Sequence, residues 1–405
     1  MTPDKRSPAP QLTSGLITLL AFACGAMVAN IYYAQTLIGK IGPEIGLSPA
    51  LSGVIVTLTQ LGYGLGLFLL VPLGDLYENR RLSLLMIGGT CLGCLAIALS
   101  RGPVTFLVAS LVTGVAATGA QILLPLASHL SAPERQGRTI GQIMSGLLAG
   151  IMLARPLASF IAESFGWRAV FYLSAALMAA TGAALAATLP ARAPRGALSY
   201  PAILRSMVTL TRRHRRLRLR ALYQAALFAA FNLFWTAAPL VLIRKFHLTQ
   251  NGVALFALAG AGGALAAPLA GWMADHGKTR IATLLAHLVL VGGFIAAGFV
   301  AAAGLVIVLG LIGFLIDAAV QLNQITGQKI IFEISQEARS RVNSIYLTSI
   351  FAIGAMGSVL GSFCFERGGW GVTAAVGAAI GGASLLVVLL FDRPTDHTPA
   401  SGPSL

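Results

Sequence analysis

Long apolar segments separated by short polar ones recur along the whole chain. Twelve of them are each long enough to cross a hydrocarbon core of roughly 30 Å as a helix of about 20 residues. None shows the residue-by-residue alternation of a membrane β-barrel. The pattern therefore predicts an all-α, multi-pass membrane protein with twelve transmembrane helices. They lie at about 13–38, 50–72, 83–100, 104–128, 139–164, 168–189, 219–243, 251–274, 280–300, 303–327, 341–364 and 370–391.

Composition agrees with a membrane location. Of the 405 residues 56% are hydrophobic and only 10% are charged, whereas about 25% are charged in an ordinary soluble domain. The first apolar run, 16–29, is not followed by a small-residue cleavage site. We therefore interpret it as a retained helix and not as a removed signal peptide.

The distribution of Lys and Arg predicts the orientation. If the N-terminus is cytoplasmic, the cytoplasmic side holds 21 of the 28 basic residues and the outer side holds six, with Arg155 inside a helix. Because basic residues accumulate in cytoplasmic loops, we expect both termini in the cytoplasm. We expect the protein in the inner (cytoplasmic) membrane of a bacterium.

A basic cluster lies beside the seventh predicted helix. A nucleic-acid interface is one explanation, but juxtamembrane clusters of this kind more often contact anionic lipid head groups. We therefore expect anionic lipids at the cytoplasmic face as partners, and no nucleic acid. The cluster consists of Arg212, Arg213, His214, Arg215, Arg216, Arg218 and Arg220.

The two halves of the chain are repeats. A shift of 203 residues superimposes Glu163 on Glu366 and Gly166-Trp167 on Gly369-Trp370. Six predicted helices separate each pair, so the repeats have the same orientation in the membrane. Two parallel six-helix bundles with a site between them are typical of rocker-switch secondary transporters. We expect an N-terminal bundle at 1–190, a basic cytoplasmic linker at 191–218 and a C-terminal bundle at 219–405.

Enzyme chemistry finds little support in the sequence. Its four cysteines, Cys24, Cys91, Cys94 and Cys364, all lie in predicted helices. The spacing of Cys91 and Cys94 fits a redox pair, but small residues three apart in a membrane helix more often serve close packing. No His, Cys and carboxylate group has metal-ligand spacing, and no phosphate-binding Lys loop is present. We therefore expect no enzymatic activity, no metal and no cofactor. Because the phosphate-binding loop and a nucleotide-binding domain are missing from the sequence, ATP-driven transport is also excluded.

One acidic residue lies deep inside an apolar segment. Asp317, Gln321, Gln324 and Gln328 fall at helical spacing on one face of the tenth predicted helix. This polar stripe must face protein or water, because lipid cannot hydrogen-bond its carboxylate and amides. The glutamines fit either an interhelical seam or a cavity lining. For Asp317 we favour a functional role, because a membrane-buried carboxylate is costly and usually carries a proton or contacts substrate.

Arg155 is a second charge at membrane depth. At 1.5 Å per residue it lies about 24 Å from the cytoplasmic end of its helix, against about 15 Å for Asp317. A direct ion pair between the two is therefore marginal. Arg155 could bind an anionic substrate, neutralise Asp317 in one state of the gate, or bond helix-end carbonyls.

The loop after the second helix resembles the signature of the major facilitator superfamily through Leu73, Gly74, Asp75 and Arg80. The second half keeps a weaker copy that ends at Asp275. In that superfamily the loop forms a charge latch on the cytoplasmic side. The resemblance therefore implies that this gate is closed by Asp75 and Arg80, with Arg81, Asp275 and Arg341 as further members. The alternative is a solvated charged turn.

Within the superfamily, the segments 30–35, 58–63 and 338–343 resemble a bacterial branch of efflux permeases, which are similar to twelve-helix drug:proton antiporters. An antiporter pattern on the fifth helix is partly present as Gly146-x-x-x-Gly150, with Arg155 in place of the usual Gly before Pro156. The Arg usual on the fourth helix is replaced by Ser110. These departures weaken the transfer of a proton route.

The resemblance also implies that the first, fourth, seventh and tenth helices line the cavity. Aromatic faces there suit an apolar or cationic substrate, although Tyr and Trp also populate membrane interfaces. The candidate substrate-binding residues are Asn30, Tyr33, Gln60, Gln121, Phe231, Asn232, Trp235, Gln321, Gln324, Asn343 and Tyr346.

The sequence thus favours a monomeric secondary transporter that exports a small organic molecule in exchange for protons. Asp317 would bind the proton, with Arg155 as its partner in coupling. The alternative is a proton symporter or a facilitator that takes up a small metabolite. A sensor without transport is a further alternative from a different class.

Overall fold

The computed structural model describes residues 13–131, 135–191, 199–335 and 338–392. Within these ranges ten stretches are long and apolar enough to span a membrane. The last of them, Arg339–Phe391, makes two passes because Gly368 and Gly369 leave the helical conformation in its middle. The shorter apolar helix Ser14–Ala29 begins the first pass. The described part of the chain therefore makes twelve passes, which confirms the prediction from the apolar segments.

The first six passes are formed by eight α-helices. They are α1 Ser14–Ala29, α2 Ile38–Glu44, α3 Val54–Leu69, α4 Asn79–Leu99, α5 Pro103–Ala117, α6 Ala120–Leu130, α7 Gln136–Phe165 and α8 Trp167–Thr188. The linker contains α9 Tyr200–Arg213. The last six passes are formed by α10 Arg215–Arg244, α11 Gln250–Ala257, α12 Gly262–Asp275, α13 Thr279–Ala302, α14 Val306–Phe332, α15 Arg339–Gly354 and α16 Met356–Phe391.

The first pass is not the single helix predicted over 13–38. It ends as an α-helix at Ala29 and continues through a 3-10 turn, Tyr33–Thr36, into α2. Asn30 begins the break, since its side-chain Nδ2 donates to the carbonyl oxygen of Ala26 at 2.8 Å. An Asn side chain that bonds the backbone in this way competes with the helical ladder. The break turns Tyr32 and Gln35 to directions that regular helical spacing does not predict.

The two halves repeat each other in structural detail. Gly166 and Gly369 both adopt positive φ, at 78° and 66°, a conformation that glycine adopts without strain. The Trp that follows each of them is buried. Ion pairs join Lys40 to Glu163 in the first half and Arg244 to Glu366 in the second. The repeat read from the sequence therefore corresponds to matching turns and matching ion pairs.

Small residues let the helices within each half approach closely. A Cβ built on Gly150 of α7 would lie 2.5 Å from the Cα of Gly25 on α1. In the second half a Cβ on Gly357 of α16 would lie 1.9 Å from the carbonyl oxygen of Ala229 on α10. Helix association in lipid depends on such packing, because no hydrophobic driving force acts between the helices. Gly146 and Gly150 of the antiporter-like pattern thus have a packing role here.

Contacts between the halves are concentrated away from the linker. We call the end of the bundle that carries α9 the linker end, and the opposite end the far end. Along α3, polar contacts to the second half occur where Gly53 donates to Ser362, where Thr57 donates to Ala355, and where Thr348 donates to the oxygen of Gly64. From Gly64 the chain runs 11 further residues to Asp75. These contacts, which we call the seam between the halves, therefore close the far end of the bundle.

The linker helix α9 contacts both halves at the other end. The Tyr200 hydroxyl donates to the carbonyl oxygen of Leu69 at 2.8 Å, and Arg341 Nη1 donates to Ser206 Oγ at 2.8 Å. Ile203 and Met207 bury its apolar face. The predicted linker at 191–218 is thus partly a helix that lies across the linker end. Its residues 192–198 fall outside the described part of the chain.

Candidate functional site at the deep end of the central cleft

The polar stripe of the tenth pass lies on the inner side of α14. Gln321, Gln324 and Gln328 are partly exposed, and Asp317 is only 9% exposed. Gln121, on the facing pass of the first half, is also partly exposed and donates to the Tyr63 hydroxyl at 3.2 Å. Partly exposed amides at this depth require water or protein partners. Gln324 and Gln328 have partners in their own half, Gln224 and Asn343. From the remaining exposure of this polar face we infer a cleft that enters between the halves from the linker end and ends near Asp317.

Asp317 accepts hydrogen bonds from Trp235 and from the backbone of Gly263. Trp235 Nε1 donates to Asp317 Oδ1 at 3.1 Å. Oδ2 points at the joint between α11 and α12, where Cβ atoms built on Gly260 and Gly263 would lie 3.8 and 3.1 Å from it. This joint is a 3-10 segment, Leu258–Ala261, which interrupts the eighth pass. The carboxylate can reach this joint because neither glycine carries a side chain.

Arg155 lies within an aromatic box. Its guanidinium carbon is 5.1, 4.9 and 4.7 Å from the ring centroids of Tyr32, Phe231 and Trp235. Cations within about 6 Å of a ring face are attracted by its quadrupole. The side chain is only 1% exposed. The first half supplies the cation and Tyr32, and the second half supplies the other two rings, so the box forms only when the halves meet.

The nitrogens of Arg155 are only partly satisfied. Nε donates to Gln35 Oε1 at 2.8 Å, whereas Nη2 has no hydrogen-bond partner among the residues that the structure describes. Nη1 lies 3.1 Å from the Cβ position of Gly260. No nitrogen of Arg155 lies within the 4.0 Å ion-pair distance of a carboxylate oxygen of Asp317. The two charges therefore face one small region beside Gly260 without forming a direct pair.

An amide network joins Arg155 to the seam between the halves. Gln35 and Gln60 each donate to Asn232 Oδ1, at 3.1 and 3.0 Å. Asn232 Nδ2 donates in turn to Gln60 Oε1 at 2.8 Å and to the carbonyl oxygen of Gly354 at 3.1 Å. All three side chains are buried. In this state the amides predicted to bind substrate, Gln60 and Asn232, bond each other across the halves.

Other predicted substrate-binding residues lie elsewhere. Asn30 accepts hydrogen bonds from Cys94 and Ser174 within the first half. Tyr346 is fully buried in the second half. Tyr33 lies at the border of burial, 9% exposed, and Asn343 accepts from Gln328 at 3.4 Å. The structure thus brings together Asp317, Arg155, Phe231, Trp235, Gln60 and Asn232, but not Asn30 or Tyr346 with them.

The predicted gate residues have separate partners in this state. Arg80 donates to the carbonyl oxygen of Ala186, and Arg81 pairs with Glu78 at 2.8 Å, both within the first half. Asp275 pairs with Lys329 at 2.8 Å within the second half. Arg341 donates to α9. Asp75 is exposed at the linker end. These contacts fit a linker end that is open.

Four residues of this region are not among those that the sequence predicted for the site. Tyr32 and Gln35 contact Arg155 because the first pass breaks after Ala29. Gln250 bridges the halves at the far end, where its Nε2 donates to the oxygen of Thr36 at 3.0 Å. Gly260 is a small residue in a helix joint. For Gln35 and Gln250, the sequence signal was a polar side chain next to an apolar segment. Tyr32 and Gly260 gave no such signal.

This fold and site define a multi-pass membrane carrier with a central cleft between two similar halves. Comparison with known sequences gives the family: the profile described as Major Facilitator Superfamily matches residues 15–326 and 221–404. The chain belongs to the Major Facilitator Superfamily. It is therefore a secondary transporter of small molecules and not an enzyme.

Known relatives extend over most of the chain. It is 39% identical over 381 residues to "Uncharacterized transporter YgaY" of Escherichia coli O157:H7, covering 94% of this chain and 96% of that one. It is 31% identical over 393 residues to "Probable transporter SCO4007" of Streptomyces coelicolor, covering 93% and 87%. It is 29% identical over 292 residues to "Chloramphenicol resistance protein" of Streptomyces lividans, covering 68% and 70%.

Solved structures support the same fold. The crystal structure of a D-xylose-proton symporter superimposes with a TM-score of 0.72 at 14% identity, covering 94% of this chain and 98% of that chain. At this identity the likeness describes the fold alone. Together with the relatives, it identifies the chain as a multi-pass membrane protein with the twelve-helix arrangement of its family.

Proposed function

We propose that the protein is a proton-coupled exporter of a small organic molecule that works by alternating access. One observation carries the proposal: Asp317 is buried at the deep end of the cleft, at the junction of the halves, and within the described part of the chain no Lys or Arg nitrogen forms an ion pair with it. A charged carboxylate at membrane depth is costly. A proton or a cationic group of a substrate removes that cost, so the two compete for one site.

The transport cycle follows from this competition. When the far end is open, Asp317 takes up a proton from outside. When the linker end is open, the proton leaves into the cytoplasm while substrate enters from the same side. Arg155 takes part by attracting the carboxylate when the proton is absent, and Phe231 and Trp235 contact substrate once the box opens. Gln121, Gln321 and Gln324 line the path to them.

The gates are assigned to the two ends of the bundle. The far end is closed by the amide network and by Gln250. The linker end closes when the Asp75 loop approaches the second half, with Arg80, Arg81, Asp275 and Arg341 supplying the charges of the latch. We take both termini to be cytoplasmic, as the basic residues predict, so the linker end would face the cytoplasm. Anionic lipids at this face would contact the basic residues around α9.

The direction is supported by a relative whose name refers to chloramphenicol resistance. Proton symport is the second candidate, favoured by the unpartnered Nη2 of Arg155. An anion bound there would repel the carboxylate of Asp317 and so favour its protonated form. In that case the substrate and the proton would travel together.

The test uses purified protein in liposomes with a compound found in an efflux and growth screen of a strain that lacks the gene. With a pH gradient the wild type should concentrate this compound, whereas Asp317→Asn should only equilibrate it. Glu163→Gln, which removes a carboxylate at the far end, serves as the matched control. Accumulation by Asp317→Asn equal to that of the wild type would remove Asp317 from coupling. The direction of proton flux on substrate addition separates exchange from symport.

A further inference from the structure

Arg155 and Asp317 border the same small region beside Gly260. Nη2 of Arg155 is a buried donor without a partner among the described residues. The Asp317 carboxylate accepts from Trp235 through Oδ1 and also from the backbone of Gly263, toward which Oδ2 lies. A guanidinium carries five N–H donors in a planar fork that suits a carboxylate. Aromatic rings lie near the faces of the Arg155 guanidinium, so a ligand can bind only at the N–H groups of its edge. A buried donor without a partner is energetically unfavourable, so a ligand that accepts from Nη2 would be stabilised there.

One position beside Gly260 borders both charges closely. A Cβ on Gly260 would meet Arg155 Nη1 at 3.1 Å, which is a tight contact, and would lie 3.7 Å from Trp235 and 3.8 Å from Asp317 Oδ2. A ligand therefore enters this position only as the aromatic box opens. The position is therefore enclosed by a cation, a carboxylate and an aromatic ring. The charges are too far apart to pair directly, yet each borders the same space. This arrangement is complementary to a molecule that carries both an anionic and a cationic group.

We propose that Arg155 and Asp317 form a subsite for the charged ends of a zwitterion such as an amino acid, with the carboxylate on Arg155 and the ammonium on Asp317. This deepens the proposed function and rests on it. The two charges of the ligand neutralise both buried groups at once, so the loaded site carries no net charge. The ammonium occupies Asp317 in place of the proton, which gives exchange. A purely anionic substrate would instead favour joint movement with the proton.

Binding to the purified, full-length protein tests the subsite without a pH gradient. The probes are alanine, leucine and phenylalanine, each compared with its methyl ester, its N-acetyl derivative and its N-acetyl methyl ester. These carry both charges, the cation alone, the anion alone or neither. Titration calorimetry and the ligand-induced shift of the thermal unfolding midpoint give the affinities. We expect at least one amino acid to bind about 10- to 100-fold more tightly than its singly charged derivatives.

Substitutions assign each charge to its partner. Asp317→Asn should abolish the preference for the amino acid over its N-acetyl derivative. Arg155→Gln should abolish the preference over the methyl ester, and Arg155→Lys, which keeps the charge but loses the fork, should restore part of it. Gly260→Ala should weaken amino-acid binding while leaving both charges in place. Gly271→Ala is its control on the same pass, because a Cβ there meets no atom of the described residues within 4 Å.

The possible results distinguish failure of the subsite from failure of the proposed function. The subsite is wrong if no amino acid in the series binds, if the uncharged derivative binds as tightly, or if Gly271→Ala weakens binding as much as Gly260→Ala. Proton-coupled flux of an uncharged compound, without binding of the series, would leave the proposed function standing and refute this subsite. Binding of an amino acid without proton-coupled flux would refute the proposed function and keep the subsite.

Discussion

Asn232 holds the far end closed, and its replacement should open that end. It accepts from Gln35 and Gln60 and donates to Gln60 and Gly354, so three of its four hydrogen bonds join the two halves. Asn232→Leu keeps the approximate shape but leaves the buried amides of Gln35 and Gln60 without these partners. The bonds exist only when the far end is closed, so the loss destabilises that state alone.

The size of this destabilisation follows from the buried amides of Gln35 and Gln60, which lose Asn232 as their partner. An unsatisfied buried polar group costs about 1–3 kcal/mol, and each 1.4 kcal/mol is a factor of ten in an equilibrium constant. We therefore expect the ratio of far-end-closed to far-end-open protein to fall about 10- to 100-fold. The open state exposes amides that water can satisfy and carries no comparable cost.

The reactivity of a single cysteine at the seam measures this change in the ratio of closed to open protein. Ser362 donates to the oxygen of Ala50 at 2.8 Å and accepts from Gly53, so it is covered when the far end is closed. In a variant without the four native cysteines, Ser362→Cys should react with an impermeant thiol reagent about tenfold faster or more when Asn232→Leu is added. The control is Asn323→Leu, since Asn323 is buried but donates to Gln224 within its own half. Unchanged labelling, or equal acceleration by the control, would refute the reasoning.

Three further expectations concern orientation, packing and the latch. In whole cells a cysteine at Thr209 of α9 should resist impermeant thiol reagents and one at Lys245 should react, and the reverse pattern would overturn the orientation. Gly150→Leu should prevent α1 and α7 from packing and abolish the sharp thermal unfolding transition, whereas Gly141→Leu, at a position with open space, should leave it intact. Asp75→Asn should weaken closure of the linker end, so transport should fall while ligand binding at equilibrium is kept; wild-type flux would make Asp75 a surface charge.

The apolar and polar pattern determined the architecture. Each pass needs a long apolar helix because lipid leaves no other way to satisfy the backbone, so composition and segment length predict twelve passes without reference to tertiary contacts. The repeat of Gly166-Trp167 at Gly369-Trp370 likewise predicted two similar halves. Both glycines adopt positive φ in the structure, a conformation that glycine adopts without strain. Asp317 was identified as a residue of interest from the cost of its charge alone.

The partners of these charges were decided only by the tertiary structure. Helical spacing places Asp317 and the glutamines on one face but does not state what lies opposite. The aromatic box of Arg155 takes Tyr32 from a broken first pass and Trp235 from the other half. The region beside Gly260 exists because a helix interruption brings a residue without a side chain between the two charges. Sequence specifies which side chains must avoid lipid, whereas packing of the two halves decides which of them meet.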